Sequence, residues 1–246
     1  MSKEMVIPAI TWILLTAILE LVAFLTLGAL PSQASEQAKV IDDAFFLLIY
    51  LVIPVFTLVV VFLLYSIMKF RVSGRPTVDG PGLKGHLPLT LVWLAVTTVL
   101  TGFVFFHPGV TGLLELRAEE NKVPDIVIQA EAVRYSWKVM YPQEMVYSKK
   151  EIVLPIHMNT QFLVSSKDVL HAFWIPAFRV KIDAVPGQTT HVNATPTKLG
   201  SYETDTQFRL QCAELCGLAH AKMFLPVTVV SEEDYREWIS LQKPIK

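Results

Sequence analysis

Three long apolar segments fill most of the chain up to Phe106 and restrict what it can fold into. They run from about Val6 to Leu30, from Ala44 to Met68 and from Leu87 to Phe106. A helix of roughly 20 residues crosses a bilayer core of about 30 Å, and each segment is long enough to do so. The whole chain is 52% hydrophobic and only 17% charged, which is unlike an ordinary soluble protein. The sequence therefore predicts three transmembrane helices.

The first span could instead be a cleaved signal peptide. Its length, Glu20 near its middle and a single basic residue before it, Lys3, favour a retained helix. A lone carboxylate is costly in lipid, so Glu20 is expected to face a neighbouring subunit or to be protonated.

The loop between the second and third spans sets the expected orientation. It carries one acidic residue, Asp79, against four basic residues: Lys69, Arg71, Arg75 and Lys84. Loops rich in lysine and arginine stay in the cytoplasm. The sequence therefore predicts a multi-pass chain whose tail beyond residue 110 lies outside and whose retained amino terminus lies inside.

The tail reads as an all-β domain with a short helix at its end. Several short runs of β-forming residues are separated by turn signals such as Pro186-Gly187. Ser231 precedes three acidic residues, which is a helix-start signal for 231–242. The expected strands are "DIVIQAEAV", "EIVLPIHM", "QFLVSS", "AFRVKIDAV", "QTTHVNATP", "GSYETDTQF" and "FLPVTVVS".

Charge and polar motifs exclude several function classes. The net charge is −1, and the sequence has no basic stripe of the kind that nucleic acid binding requires. The acidic residues form no acid/base pair, and the sequence has no glycine-rich phosphate loop. His157 and His191 fall in expected strands and His86 and His107 at the ends of the third span, where no ligand role is needed.

The segment "QCAELCGLAHAKM" (211–223) holds both cysteines, together with His220 and Met223. In an external domain the two thiols could form a disulfide, but this leaves the histidine and the methionine unexplained. With His171 they could form a Cys₂His₂ zinc site, in which the methionine has no role. A single blue-copper ion needs only one cysteine.

Two copper ions use this donor set better. Both sulfurs can bridge the two ions, and each ion then also binds one histidine. Met223 and a backbone carbonyl would fill the weak outer positions, since thioether sulfur is a soft ligand that suits copper. One electron shared over two equivalent ions changes each by half a charge, so electron transfer needs little reorganisation.

"CAELCGLAHAKM" resembles the dinuclear copper (CuA) loop in subunit 2 of the haem–copper cytochrome c oxidases. "VLHAFWIPAFRVKIDAVPG" (169–187) is similar to the upstream histidine segment of that family. The likeness runs from about Asp42 to the carboxyl end and implies two membrane spans followed by a cupredoxin-like barrel. With the extra first span, the domains are expected at 1–40, 41–110 and 111–246.

The resemblance implies specific ligands and partners. The side-chain ligands would be His171, Cys212, Cys216, His220 and Met223, and Glu214 would bind through its backbone carbonyl. The carboxylate of Glu214 would also reach a magnesium ion at the boundary with subunit 1. Implied partners are haem-containing subunit 1, subunit 3, and a cytochrome c or small copper protein as electron donor, in a bacterial plasma membrane with the copper domain on the periplasmic side.

Two positions depart from the family pattern. The segment "RYSWKVMYP" has Trp137 in the second place of the aromatic cluster where electrons enter, but Tyr135 where the first tryptophan is expected. The alternative for both aromatics is ordinary barrel core. Thr90 stands where the family commonly has a carboxylate near a proton path, and no acidic residue is nearby in sequence.

The implied function is to receive electrons for a respiratory terminal oxidase that reduces oxygen to water and translocates protons. Catalysis would belong to the complex. The alternatives are the copper subunit of a nitric oxide reductase, a metal-free quinol oxidase subunit and a free membrane-anchored electron carrier. The sequence lacks a Cys-x2-Cys-His run, which excludes a fused c-type cytochrome.

Overall fold

The computed structural model describes residues 3–71, 74, 82 and 85–242. It divides into two compact units. One comprises Met1–Leu30 and Ala44–Thr111, and the other comprises Pro31–Asp43 and Gly112–Lys246. The 31–43 segment thus groups with the β-domain. The domain limits expected at residues 40 and 110 stay predictions.

The helices of the amino-terminal half are long and apolar. Three stretches could cross a membrane by length and composition: Glu4–Leu25, Glu36–Lys69 and Leu87–Glu120. They correspond to α1 (Lys3–Leu25), to α2 (Glu36–Lys69), and to α3 (Leu87–Val104) with the segment after it. That segment is a kink at Phe105–Val110, where His107 has non-helical backbone angles (φ −135°, ψ 118°), followed by α4 (Thr111–Glu120). Three apolar helices were predicted from the sequence, although α1 ends several residues before the expected Leu30. Arg75, Asp79 and Lys84, used to predict orientation, lie outside the described residues.

Polar contacts join α1 to α2. The indole Nε1 of Trp12 donates a hydrogen bond to the backbone oxygen of Pro54 at 2.8 Å. The hydroxyls of Thr16 and Thr57 lie 2.7 Å apart, and Thr57 is fully buried. Hydrogen bonds between helices are one of the interactions that hold membrane helices together. α1 therefore makes specific contacts with α2.

The β-domain is built from two packed sheets. A five-stranded sheet has the order β3-β2-β1-β5-β8, and a six-stranded sheet has the order β4-β11-β10-β6-β7 with β9 paired to β11. The ring centroids of Phe162 and Phe173, one residue from each sheet, lie 4.9 Å apart in the core between the two sheets. The strands are β1 (Ile126–Val133), β2 (Ser136–Tyr141), β3 (Val146–Ser148), β4 (Ile152–Pro155), β5 (Thr160–Ser166), β6 (His171–Ile175), β7 (Val180–Ala184), β8 (Thr190–Ala194), β9 (Gly200–Ser201), β10 (Arg209–Cys212) and β11 (Phe224–Val230).

Most of the expected strands exist, but four observed strands were not predicted: β2, β3, β6 and β10. Nearly every residue of β6 is buried, so the strand lacks the alternation of apolar and polar residues that marks a half-exposed strand. The expected strand at 200–208 is confined to β9, because Thr204 and Asp205 form turn hydrogen bonds with Ser201. His157 lies in a turn with φ 62°, so its placement in a strand was wrong.

The carboxyl-terminal helix, α5, spans Glu232–Leu241 and begins as predicted. The hydroxyl of Ser231 accepts a hydrogen bond from the amide of Asp234 at 3.1 Å. The predicted fold class is confirmed: apolar helices precede a cupredoxin-like β-domain that ends in a short helix.

The 31–43 segment is fixed to the β-domain by a buried ion pair. Arg179 donates from Nε to Asp42 at 2.8 Å and from a terminal nitrogen to the other carboxylate oxygen at 2.9 Å. The same guanidinium donates to the backbone oxygens of Pro31 and Pro176. This bidentate arrangement satisfies a charge that would otherwise be buried alone.

Replacing Asp42 with alanine should destabilise the β-domain by about 3 to 5 kcal/mol, since Arg179 would keep a buried, unpaired charge. Denaturant unfolding of the full chain in detergent measures this change. Lys39→Ala is the control, because Lys39 and Asp43 form an exposed ion pair and its loss should have no measurable effect. Equal midpoints for D42A and K39A would contradict the anchoring role.

Candidate metal centre

A single loop between β10 and β11 carries most of the predicted ligands. β10 ends at Cys212 and β11 begins directly after Met223. The amide of Cys212 donates to the carbonyl of Met223 at 3.0 Å, which closes the base of the loop. Cys212 also pairs with Phe173 of β6 across the sheet. The two ends of the loop are therefore held by the sheet itself.

The sulfur atoms form the centre of the cluster. The Sγ atoms of Cys212 and Cys216 lie 3.9 Å apart, and Cys216 Sγ lies 3.8 Å from Met223 Sδ. All three side chains are buried. The backbone oxygen of Glu214 lies 3.2 Å from Cys212 Sγ, whereas its carboxylate belongs to an exposed residue. The carbonyl, as the resemblance implies, thus faces the sulfurs.

His171 joins the loop from the neighbouring strand. It is the first residue of β6, and pairing of β6 with β10 brings its Nδ1 to 3.6 Å from Cys212 Sγ. One ring nitrogen of His171 and the Sγ atoms of Cys212 and Cys216 all lie within 4.8 Å of one another. Its Nε2 lies 2.9 Å from Oδ1 of Asp168. A proton on Nε2 leaves the lone pair of Nδ1 facing the sulfurs, as in metal sites where a carboxylate orients a histidine.

Asp168 is itself held in the ionised form. It accepts hydrogen bonds from the backbone amide and side chain of Arg134 at 2.9 and 3.0 Å. Burial opposes ionisation of this carboxyl. The hydrogen bonds from Arg134, His171 and Val169 outweigh that effect and hold the pKa of Asp168 well below its ordinary value.

His220 supplies the second imidazole. It begins a short 3₁₀ turn, His220–Lys222, and its amide donates to the backbone oxygen of Gly217 at 3.1 Å. Its Nδ1 lies 3.6 Å from Cys216 Sγ. The two imidazoles therefore lie next to different sulfurs, one beside Cys212 and the other beside Cys216.

The chemistry of these donors separates the alternatives. Both cysteines are free, which disfavours the disulfide. Burial, followed by the nearby charge of Cys212, raises the pKa of the Cys216 thiol to about 11. Two thiols, two imidazoles, a thioether and a carbonyl clustered around buried sulfurs fit copper, whereas a zinc tetrahedron would leave the buried thioether without a role.

The two predicted aromatics differ in exposure. Trp137 is buried, and its ring packs edge-on against those of His171 and Phe173, with centroids 6.3 and 6.0 Å away. Tyr135 is 37% exposed. Of this pair, only the tyrosine reaches the surface.

Sequence reasoning missed two supporting residues, Asp168 and Arg134. An aspartate three residues before His171 in "KDVLH" was the available signal, since metal-bound histidines commonly bond a carboxylate through their other nitrogen. Nothing local to Arg134 marks it, because it reaches Asp168 from a turn far away in sequence.

Comparisons with known proteins identify the family of this chain. The family described as "Cytochrome C oxidase subunit II, periplasmic domain" matches residues 121–231. Subunit 2 of the haem–copper oxidase of Aeropyrum pernix is 30% identical over 72% of this chain and 79% of its own length. The chain belongs to the haem–copper oxidase subunit 2 family. Cytochrome c oxidase subunit 2 of Thermostichus vulcanus is 28% identical over 94% of this chain and 85% of its own length.

Among solved structures, the periplasmic domain of cytochrome oxidase subunit II from Bradyrhizobium japonicum is 30% identical. It covers 48% of this chain and 94% of its own length, with a TM-score of 0.45.

Membership of the subunit 2 family has direct consequences. Such a subunit works within a haem–copper oxidase complex, and the family implies copper. The relatives named above are oxidase subunits, which does not favour a nitric oxide reductase. The matched region bears the description of a periplasmic domain and follows helices that could span a membrane.

Proposed function

We propose that this subunit receives electrons for a respiratory terminal oxidase through a dinuclear copper centre held by this cluster. The ligands are the side chains of His171, Cys212, Cys216, His220 and Met223 and the backbone oxygen of Glu214. The observation that carries the proposal is the convergence of all six donors around two free, buried thiols. When bound, a dinuclear copper group supplies reversible one-electron storage with little reorganisation.

The surrounding residues prepare this site for that role. Asp168 fixes the tautomer of His171, so that Nδ1 is free to bind metal. Burial of the sulfurs keeps water away from the centre and limits the movement of the donors. Electrons would then pass to haem in subunit 1, where oxygen reduction to water is coupled to proton translocation, and subunit 3 would complete the complex.

A magnesium ion is proposed at the boundary with subunit 1. The support is that the carbonyl of Glu214 faces the sulfurs while its side chain stays exposed and able to reach a second ion. Carboxylate oxygen is a ligand that Mg²⁺ accepts. Magnesium analysis of the purified complex carrying Glu214→Gln tests this assignment, because the variant should lose the ion.

The surface over the centre is suited to an electron donor such as a cytochrome c or a small copper protein. Three exposed leucines adjoin ligands in sequence: Leu170 precedes His171, Leu215 precedes Cys216, and Leu218 lies two residues before His220. Where exposed apolar side chains form a contiguous patch, they mark a protein–protein contact, and we propose that these three leucines form one. Tyr135 beside them offers a route for electrons from the surface towards buried Trp137.

The proposed topology is a multi-pass chain in a bacterial plasma membrane with the copper domain on the periplasmic side. The contacts of Trp12 and Thr16 with α2 support a retained first helix, because they would be lost if that segment were removed. Lys69 and Arg71, at the end of α2, agree with a cytoplasmic loop.

Copper loading of the full chain in detergent tests the ligand set. Metal-free protein given copper should bind two ions per chain and show hyperfine coupling to two equivalent nuclei. Met223→Leu should alter this spectrum, whereas Met145→Leu, at an exposed turn position, should not. A colourless protein that binds one zinc ion in preference would falsify the assignment.

Protease treatment of intact cells tests the topology. A protease added outside, once the outer barrier is opened, should cut the 121–231 domain and leave the 69–86 loop intact. The mass of the mature chain should include α1. Protection of the β-domain, or a mature chain that begins after residue 30, would contradict the proposed arrangement.

A charge placed on the leucine surface should slow the donor. Leu218→Glu is expected to lower the second-order rate of donor oxidation about tenfold, because interface centres tolerate unpaired charge poorly. Copper content should not change. Leu199→Glu is the matched control, because this exposed leucine precedes Gly200, which pairs with Val229 at the end of β11 away from Met223. Equal rates for the two variants would place the donor elsewhere.

A further inference from the structure

Tyr135 contacts the ligand loop from the other sheet. It lies in the turn between β1 and β2, and its hydroxyl oxygen accepts a hydrogen bond from the amide of Leu218 at 3.2 Å. Leu218 lies between the two ligands Cys216 and His220. A side chain expected only to carry electrons thus also forms a bond with the backbone of the metal loop.

The peptide group between Gly217 and Leu218 is held at both ends. Its carbonyl accepts from the amide of His220 at 3.1 Å, and its N–H donates to Tyr135. The first bond lies within the loop, but the second comes from a separate part of the fold. With both bonds made, this peptide cannot rotate without losing one of them.

Gly217 allows the phenol to come this close. Its φ is +132°, a conformation that residues with a side chain rarely adopt. A Cβ placed on Gly217 would lie 2.6 Å from the hydroxyl oxygen of Tyr135 and 3.3 Å from the nearest ring carbon. The absence of a side chain at Gly217 therefore leaves room for the phenol of Tyr135.

We propose that Tyr135 is a positioning residue for the metal centre. Its hydroxyl fixes the orientation of the Gly217–Leu218 peptide. This peptide joins Cys216 to the turn of His220, so its orientation sets where Cys216 Sγ and His220 Nδ1 point. The inference rests on the proposed function in treating these two atoms as ligands. A tryptophan, which resemblance to the family leads one to expect here, has only an N–H donor and cannot accept this bond.

The same turn also supports the opposite side of the centre. Arg134, next to Tyr135, bonds Asp168, which in turn bonds His171. One two-residue turn therefore reaches the supports of both histidines. Loss of the tyrosine hydroxyl should loosen only the His220 side, because the contacts of Arg134 remain.

Hydrogen exchange of the metal-free full chain in detergent tests the contact without any metal. In Tyr135→Phe the amide of Leu218 should exchange roughly two- to tenfold faster, as expected for the loss of one hydrogen bond. Tyr135→Trp should behave in the same way. The control is Tyr147→Phe, because Tyr147 is exposed on β3 and its hydroxyl bonds none of the described residues. Unchanged exchange at Leu218 in both Tyr135 variants would overturn the proposal.

Copper-loaded protein tests whether the contact positions the ligands. In Y135F the hyperfine couplings of the two copper nuclei should become unequal, and a chelator should remove copper several-fold faster than from wild type. Faster exchange at Leu218 with an unchanged spectrum and unchanged copper loss would show that the bond orders the loop but does not position the donors. Wild-type protein that takes up no copper would instead refute the proposed function, while the exchange result on the tyrosine stands.

A double-mutant comparison with Gly217 gives an independent readout. Gly217→Ala should speed copper loss in wild type, because the new methyl group meets the hydroxyl of Tyr135. The same change should have a smaller effect in Y135F, where the closest clash, with the hydroxyl oxygen, is removed and the backbone strain and the longer contacts with the ring carbons remain. Strictly additive effects would show that the two residues do not act through this contact.

Discussion

Antiparallel pairing of β6 with β10 is the contact on which the centre depends. It sets Cys212 opposite Phe173 and so carries His171, the first residue of β6, to within 3.6 Å of a thiol that lies far along the chain. β11 closes the other side, through the bond between Cys212 and Met223. Because these strands lie in a close-packed sandwich, the positions of His171, Cys212 and Met223 are set by the core of the domain.

Residues from the five-stranded sheet also contact the site, which is carried by β6, β10 and β11 of the other sheet. The turn between β1 and β2 belongs to the five-stranded sheet, whereas the ligand loop belongs to the other. Arg134 reaches His171 through Asp168, and Tyr135 reaches the loop between Cys216 and His220. The relative placement of the two histidines therefore depends on how the two sheets pack, which links the core of the domain to the geometry of the centre.

The β-domain is built from segments that are distant in the sequence. Residues 31–43, which end in the first turns of α2, are part of the β-domain through Asp42, Arg179 and several backbone bonds. The β-domain is therefore not a simple carboxyl-terminal extension. Its stability includes a segment more than 80 positions earlier in the sequence than the first strand at Ile126, and that segment has no strand pattern by which it could be recognised.

The sequence by itself determined the features that are local. Long apolar runs predict helices that could span a membrane, a serine before three acidic residues predicts α5, and the identities and spacing in 211–223 predict soft metal ligands. His171 was expected from the family resemblance, but only the tertiary structure showed that β6 carries it to the loop, that Asp168 is its partner, and that Tyr135 accepts from Leu218. These depend on pairing and packing between segments far apart in the chain, and no local period or spacing encodes such contacts.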